Sequence, residues 1–346
     1  MFARTLLVAL VTVGLSTAQP PTRERGRFSL NNDLASVMAL DPQVKHTLIA
    51  FQGGMVCVFP ADQRVVSLYA YSIHKKTVTA ARFTPDGKSF VTTSLDGTLK
   101  VWDVLAALKH HQDMEDSKGE GKPAVPKPTL SITPHAGFGV TSLAIRSDGK
   151  QWATGGSDGT VKLWTPETGK LIVMMPGAQT GGVKAVEYSP DGKLLATAGA
   201  DKTVKLWDPA TKDEKPEPVR KLDGHEGAVN ALAFSPDGKA LAAGTGEAKK
   251  SGSIHVWDPA TGKREYKLVG HEDVVTCVLF HPKTAHLASG SADRKITVWD
   301  LKEKSALYSD EHSVALRNLV ISPDGVRFGS CSARAVRWWA GFGKDK

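Results

Sequence analysis

Cysteine is scarce in this 346-residue chain: Cys57, Cys277 and Cys331 are odd in number and lie far apart. A small exported domain stapled by disulfides carries a dense, even set, so that source of stability is excluded and the three read as small core residues. Hydrophobic runs are equally lacking after the first twenty residues, where nothing resembles a membrane span. Charge of one sign is not gathered anywhere. The 44 Lys and Arg stand interspersed with 36 acids for a net +8, without the basic face and stacking aromatics that a nucleic-acid partner requires. A phosphate-cradling glycine loop, paired-cysteine metal motifs and glycosylation sequons are absent from the sequence. What remains is the profile of a soluble globular protein, 41% hydrophobic, 23% charged and 7% aromatic.

The N-terminus stands apart. Arg4 gives a short basic start, residues 5–15 form an apolar run of 11, and Ser16-Thr17-Ala18 offers small residues for cleavage after Ala18. This predicts a secretory signal peptide over residues 1–18, since a helix needs about 20 apolar residues to span a bilayer. No cysteine stands there for lipid attachment. The expected product is an exported protein, periplasmic or secreted, with net charge +7 and no stable membrane insertion.

Downstream the chain repeats. Thr84-Pro85-Asp86-Gly87, Ser189-Pro190-Asp191-Gly192, Ser235-Pro236-Asp237-Gly238 and Ser322-Pro323-Asp324-Gly325 are tight turns, and weaker copies at Asp41, Arg146 and His281 bring the count to seven. A second mark follows each turn: Trp102-Asp103, Trp164-Thr165, Trp207-Asp208, Trp257-Asp258 and Trp299-Asp300, with degenerate forms Phe59-Pro60 and Trp339-Ala340, again seven. Steps between the aromatic positions are 43, 62, 43, 50, 42 and 40 residues, a base period just over forty with two insertions. The intervening segments are short and β-branched or alternating, bounded by Gly, Asp and Pro, and so predict strands. Four strands per forty-residue unit predict the blades of an all-β propeller, because one small sheet cannot bury both faces alone.

On these turns and Trp-Asp marks the sequence resembles the WD40-repeat family, in the exported form of bacterial type, over nearly everything after residue 26. The resemblance implies a buried polar tetrad of His, Ser or Thr, Asp and Trp in each well-formed blade: His74, Thr92, Asp96 and Trp102 in blade two; His135, Thr154, Asp158 and Trp164 in blade three; His271, Ser289, Asp293 and Trp299 in blade six. In such a set His donates to Asp and meets the hydroxyl, which accepts from the indole N–H. Blade four has Gln179 in place of His, blade five has Ala243 in place of the hydroxyl, blade seven lacks the Asp, and blade one has lost the pattern. Those four blades are expected to rest on packing more than on polar networks.

Only seven residues follow Trp339, too few for an outer strand, so residues 27–30 are expected to complete the last blade and close the ring within a single domain, residues 19–346. Trp102 to His135 spans 33 residues against 14 from Trp257 to His271, which places an insertion at about 104–128, expected to be a mobile loop on the bottom face. A second insertion, at about 246–252, is expected to project from the top face of blade five, with Glu247, Lys249 and Lys250 as candidate partner contacts.

Chemistry-like motifs have plainer readings. Gly155-Gly156-Ser157-Asp158-Gly159 has the spacing of a nucleophile elbow but leads into a strand, not a helix. The recurring His, hydroxyl and Asp trio is scaffold, because a catalytic set would occur once. His110, His111, Asp113, Glu115 and Asp116 follow no known metal-site spacing and read as a solvated loop. The expected function is therefore a monomeric, non-enzymatic protein or peptide-binding scaffold without cofactor or metal. The alternative is an exported propeller enzyme or small-ligand binder at the channel mouth. Inner strands such as residues 229–234 read as mostly apolar and weigh against it, whereas convergent polar groups in the channel would favour it.

Overall fold

The short strands, each bounded by a turn-forming cluster, build seven four-stranded antiparallel sheets in a ring. The computed structural model describes residues 9–10, 24–29, 34–61, 67–68, 70–117 and 125–340, giving the backbone alone for 9–10, 24–29, 67–68 and 340. The expected export segment, residues 1–18, lies outside the described residues except for Ala9–Leu10, which pair with Ser67–Leu68. Blade two is typical, with an inner strand Val78–Phe83, then Ser89–Ser94, Leu99–Asp103 and an outer strand Leu130–Ile132. Each inner strand touches the inner strands of both neighbouring blades, and that of blade seven (Leu316–Ile321) meets that of blade one (Ala35–Leu40), which closes the circle.

The turn between the first and second strand of each blade is fastened by its own side chains. In blade four, Asp191 Oδ1 accepts from Ser189 Oγ at 2.6 Å and from the Lys193 N–H at 3.1 Å, while Gly192 takes φ +70°, the left-handed region that glycine enters freely. These turns and the connections between third and fourth strands lie on one face, the bottom. The other connections form the top.

Blade seven takes its fourth strand from the other end of the chain. Glu24–Ser29 pairs antiparallel with Ala335–Ala340, setting Arg27 opposite Arg337, Phe28 opposite Val336 and Ser29 opposite Ala335. The seam leaves no unpaired edge between first and last blades. Residues 27–29 thus do what counting back from Trp339 predicts, and Leu30 lies outside the described residues.

Each of the seven gaps between adjacent blades holds its own hydrophobic cluster. The blade-six tryptophan, Trp299, packs with Ile254, Val256 and Leu268 of blade five. The Trp of a blade therefore fills the gap toward the preceding one, and blade stacking removes apolar faces from water at roughly 25 cal/mol per Å2.

Candidate functional site

The structure brings the three complete tetrads together. In blade two, Thr92 Oγ1 accepts from the Trp102 indole at 3.0 Å and meets His74 Nε2 at 2.8 Å, while His74 Nδ1 stands 3.3 Å from Asp96. Blade three repeats this at 2.9, 3.1 and 3.0 Å through Trp164, Thr154, His135 and Asp158; blade six at 2.8, 2.7 and 2.8 Å through Trp299, Ser289, His271 and Asp293. Burial holds the His74 imidazole neutral, its pKa pushed down to about 4 against the pull of Asp96. Burial works against the Asp96 carboxylate, but hydrogen bonds from Thr98 and the Lys75 N–H outweigh it and hold the group at about 2. These side chains are occupied with one another and offer nothing to a substrate.

Blade four departs from the expectation that packing outweighs polar networks there. Gln179 donates to Thr197 Oγ1 at 2.9 Å and accepts from Thr203 at 3.2 Å, while Trp207 donates to Thr197 at 2.9 Å. An amide carries both a donor and an acceptor, so Gln fills the place of His. Blade seven also keeps a polar contact, His312 Nε2 with Ser330 Oγ at 2.8 Å. Blade five is the frustrated one: with Ala243 where the hydroxyl belongs, His225 Nε2 and Trp257 Nε1 are buried without a hydrogen-bond partner. His255 packs at a tilt against His225, ring centroids 4.7 Å apart, and bonds outward to Glu226 at 2.9 Å.

The insertion after blade two is not a loop throughout. Val104–Asp116 forms a 13-residue helix, α1, with Asp103 as N-cap accepting from the Ala106 N–H. Its buried residues Val104, Ala107, His111 and Met114 recur at helical spacing and face blade one, whose outer strand is only Tyr71–Ser72. His110 and His111 are thus buried instead of solvated: His110 packs edge-on against Tyr71, and His111 Nδ1 lies 3.8 Å from Cys57 Sγ. Residues 118–124 lie outside the described residues. Among the described residues no His, Cys, Asp and Glu group could hold a metal ion, and no helix is long and apolar enough to cross a membrane.

The blade-five connection, residues 247–251, stands on the top face. Glu247 is paired with Lys202 at 2.9 Å and Lys250 at 2.6 Å, which hold its carboxylate at about 2, and the Lys249 N–H donates to Asp273 at 3.0 Å. The loop is pinned to blades four and six. The top face also carries Phe138, 52% exposed, and Leu95, 42% exposed, and among the described side chains Phe138 is the one exposed aromatic.

The channel corrects the apolar reading of the inner strands. Every inner strand carries a β-bulge at one and the same place, and the bulged residues are Ser36, Thr79, Thr141, Lys184, Asn230, Thr276 and Arg317, all seven polar. They line the channel, which encloses a cavity of about 190 Å3. Arg82 and Glu187 lie deeper in it; burial pushes the Glu187 carboxyl up, opposed by Arg82. Cys277 lines this cavity while packing against the core cluster between blades six and seven, and burial pushes its thiol up to about 12.

A family model described as "WD domain, G-beta repeat" matches residues 65–103, 126–165, 169–208, 216–258 and 262–300, more than half of the chain. The chain belongs to the WD40-repeat family. The matched stretches are blades two to six, and the unmatched blades one and seven carry the degenerate Phe59-Pro60 and Trp339-Ala340 marks. Similar curated proteins include WD repeat-containing protein 70 of Xenopus laevis, 28% identical over 142 residues, and Protein HIR1 of Kluyveromyces lactis, 30% identical over 96. The matched stretches take in 40% and 28% of this chain but only 20% and 11% of those longer proteins. WD40 propellers are generally non-enzymatic platforms that bind other proteins.

Two features of this WD40 ring escape a reading by motif. Thr98, Thr160 and Thr203, two residues after the tetrad Asp, each donate to it, and that spacing was available as a signal. The polar ring was hidden by the bulges. A bulge sets consecutive residues toward the same side, so alternation assigns them to the wrong faces.

Proposed function

We propose that the chain is an exported, non-enzymatic scaffold that engages a partner protein through its top face, anchored at Phe138 and extended by the blade-five loop with Glu247, Lys249 and Lys250. The exposure of Phe138 carries this reading. Buried aromatic anchors supply most of the binding energy in protein interfaces, and leaving a phenyl ring in water has no structural benefit where every other described aromatic is covered or partly covered. WD40 membership supports it, and so does the internal use of the tetrad residues. Affinity capture with the intact chain, Phe138→Ser, a variant with residues 247–251 shortened and the bottom-face control Leu105→Ser tests it. The expected partner is retained by the control and lost with the two top-face changes. Equal retention by all four chains overturns the reading.

Export rests on the basic start, the apolar run and the small residues ending at Ala18. Mass spectrometry of the mature protein is expected to find an N-terminus at Gln19, and a retained Met1 or Phe2 overturns it.

The small-ligand alternative has one observation in its favour, the polar ring of the channel. It bears on what the top face recognises.

A further inference from the structure

Charge is unevenly distributed around the channel. Of the seven bulged residues, five are neutral and two, Lys184 and Arg317, are cations. Both are exposed and both line the channel cavity. Arg317 also lines a wider opening of about 440 Å3 at the mouth, shared with Thr77, Thr79, Thr141 and Thr276. The guanidinium is held in place: with its amide turned to satisfy both atoms, Gln52 accepts from Arg317 Nη1 at 2.9 Å and Nη2 at 2.8 Å. The one carboxylate lining the cavity, Glu187, lies a turn of the pleat deeper with Arg82 as its countercharge.

Three of the five neutral members of the ring are already engaged. Thr79 donates to the Val140 carbonyl at 2.7 Å, Thr276 to the Leu316 carbonyl at 2.9 Å and Thr141 to the Gly155 carbonyl at 3.0 Å. Their hydrogens tie strands and blades together, so they offer a ligand oxygen lone pairs and no donors. Donors come from the two cations, Arg317 at the mouth and in the cavity and Lys184 in the cavity, and from the unpartnered Ser36 hydroxyl that lines both. A ligand cation meets two like charges there, whereas an oxyanion meets a braced fork and a mobile ammonium in a partly desolvated opening where charge-assisted hydrogen bonds are strong.

We propose that the channel cavity is a carboxylate-binding site, formed by Arg317 and Lys184, that takes an acidic side chain from an Asp- or Glu-rich segment of the partner docked at Phe138. The inference rests on the top-face reading and names the chemistry of the partner. A segment fits better than a free acid because Phe138 and Leu95, exposed on the top face, give a chain apolar surface to lie on.

The test uses the full chain and labelled, N-acetylated hexaglutamate and hexalysine peptides, followed by fluorescence anisotropy at low and physiological salt. Hexaglutamate is expected to bind and hexalysine not. Arg317→Gln and Lys184→Gln are each expected to weaken hexaglutamate at least fivefold and the double variant at least twentyfold, while Lys249→Gln/Lys250→Gln stays within twofold. Circular dichroism establishes that the variants are folded, and Lys184, an exposed side chain, is the change that leaves the ring intact. Absence of hexaglutamate binding overturns the proposal, as does an equal loss with the loop variant, which would mean diffuse attraction. Full competition by glutarate at equal carboxylate concentration overturns the segment in favour of a small acid. Failure here with the Phe138→Ser capture phenotype intact sinks the carboxylate site alone; loss of that phenotype sinks the top-face reading beneath it.

Discussion

Lowering the pH from 7 to 5 should destabilise the ring through its buried histidines. His74 and His225 are 4% and 6% exposed, and burial holds each pKa at about 4 against an ordinary 6.5. An imidazole kept neutral in the fold takes up its proton first in the unfolded chain. As pH falls from about 6.5 toward about 4, the unfolded state therefore gains protons that the folded state refuses, and stability falls with pH. At pH 5 the cost is about 2 kcal/mol for each histidine, or about 4 kcal/mol together, a large part of the 5–15 kcal/mol that typically holds a domain. The tetrad carboxylates do not blur this window: Asp96 and Asp293 sit at about 2 against an ordinary 3.8, so their stabilisation is lost only below that range. Urea unfolding followed by tryptophan fluorescence at both pH values measures the effect. His74→Gln should remove about 2 kcal/mol of the difference, because Gln179 already fills the equivalent place in blade four without a titrating ring. A midpoint unchanged at pH 5, or a pH dependence that survives intact in His74→Gln, would refute the reasoning.

Three further outcomes follow from hydrogen bonds and strand pairing. Ser289→Ala leaves His271 Nε2 and the Trp299 indole without their shared partner and should lower stability by about 1–3 kcal/mol in thermal unfolding. Ala243→Ser should act in the opposite sense, gaining about 1 kcal/mol by giving the orphaned Trp257 Nε1 and His225 Nε2 a hydroxyl; an unchanged or lowered Tm argues against that account of blade five. Removing residues 24–29 bares the Ala335–Ala340 edge, so size-exclusion chromatography should show self-association together with a lowered Tm, where a stable monomer would contradict the role of the seam.

The ring itself was legible because its signals are local. A proline-aspartate-glycine turn and a Trp-Asp pair each need only their own neighbours to be recognised, and seven of each fix the blade count even across the 62-residue step. The closing strand was legible by subtraction, since a blade lacking its fourth strand must find one elsewhere. Helix α1 was missed although Val104, Ala107, His111 and Met114 follow helical spacing after an N-capping Asp103, because the Lys, Gly and Pro residues at 118–128 dominate the composition of the whole insertion. The burial of His110 and His111 depends on Tyr71 and Cys57, more than thirty residues away in another blade. The polar channel mouth depends on a register slip that no side-chain pattern announces, and the Gln179 network on an amide satisfying what an imidazole normally does.

The seam in blade seven also sets an order of events during synthesis. Strand Glu24–Ser29 is among the first parts of the ring to be made, and its partner, Ala335–Ala340, is the last described stretch, more than three hundred residues later. Blades one to six can grow from local hairpins as the chain emerges. Blade seven cannot. Its sheet waits for both ends, and the curvature of the six finished blades, not the diffusion of a free chain, brings those ends within reach. A product that stops short of residue 335 leaves the early strand with its N–H and C=O groups exposed, so the clasp distinguishes complete chains from truncated ones by whether an edge remains open.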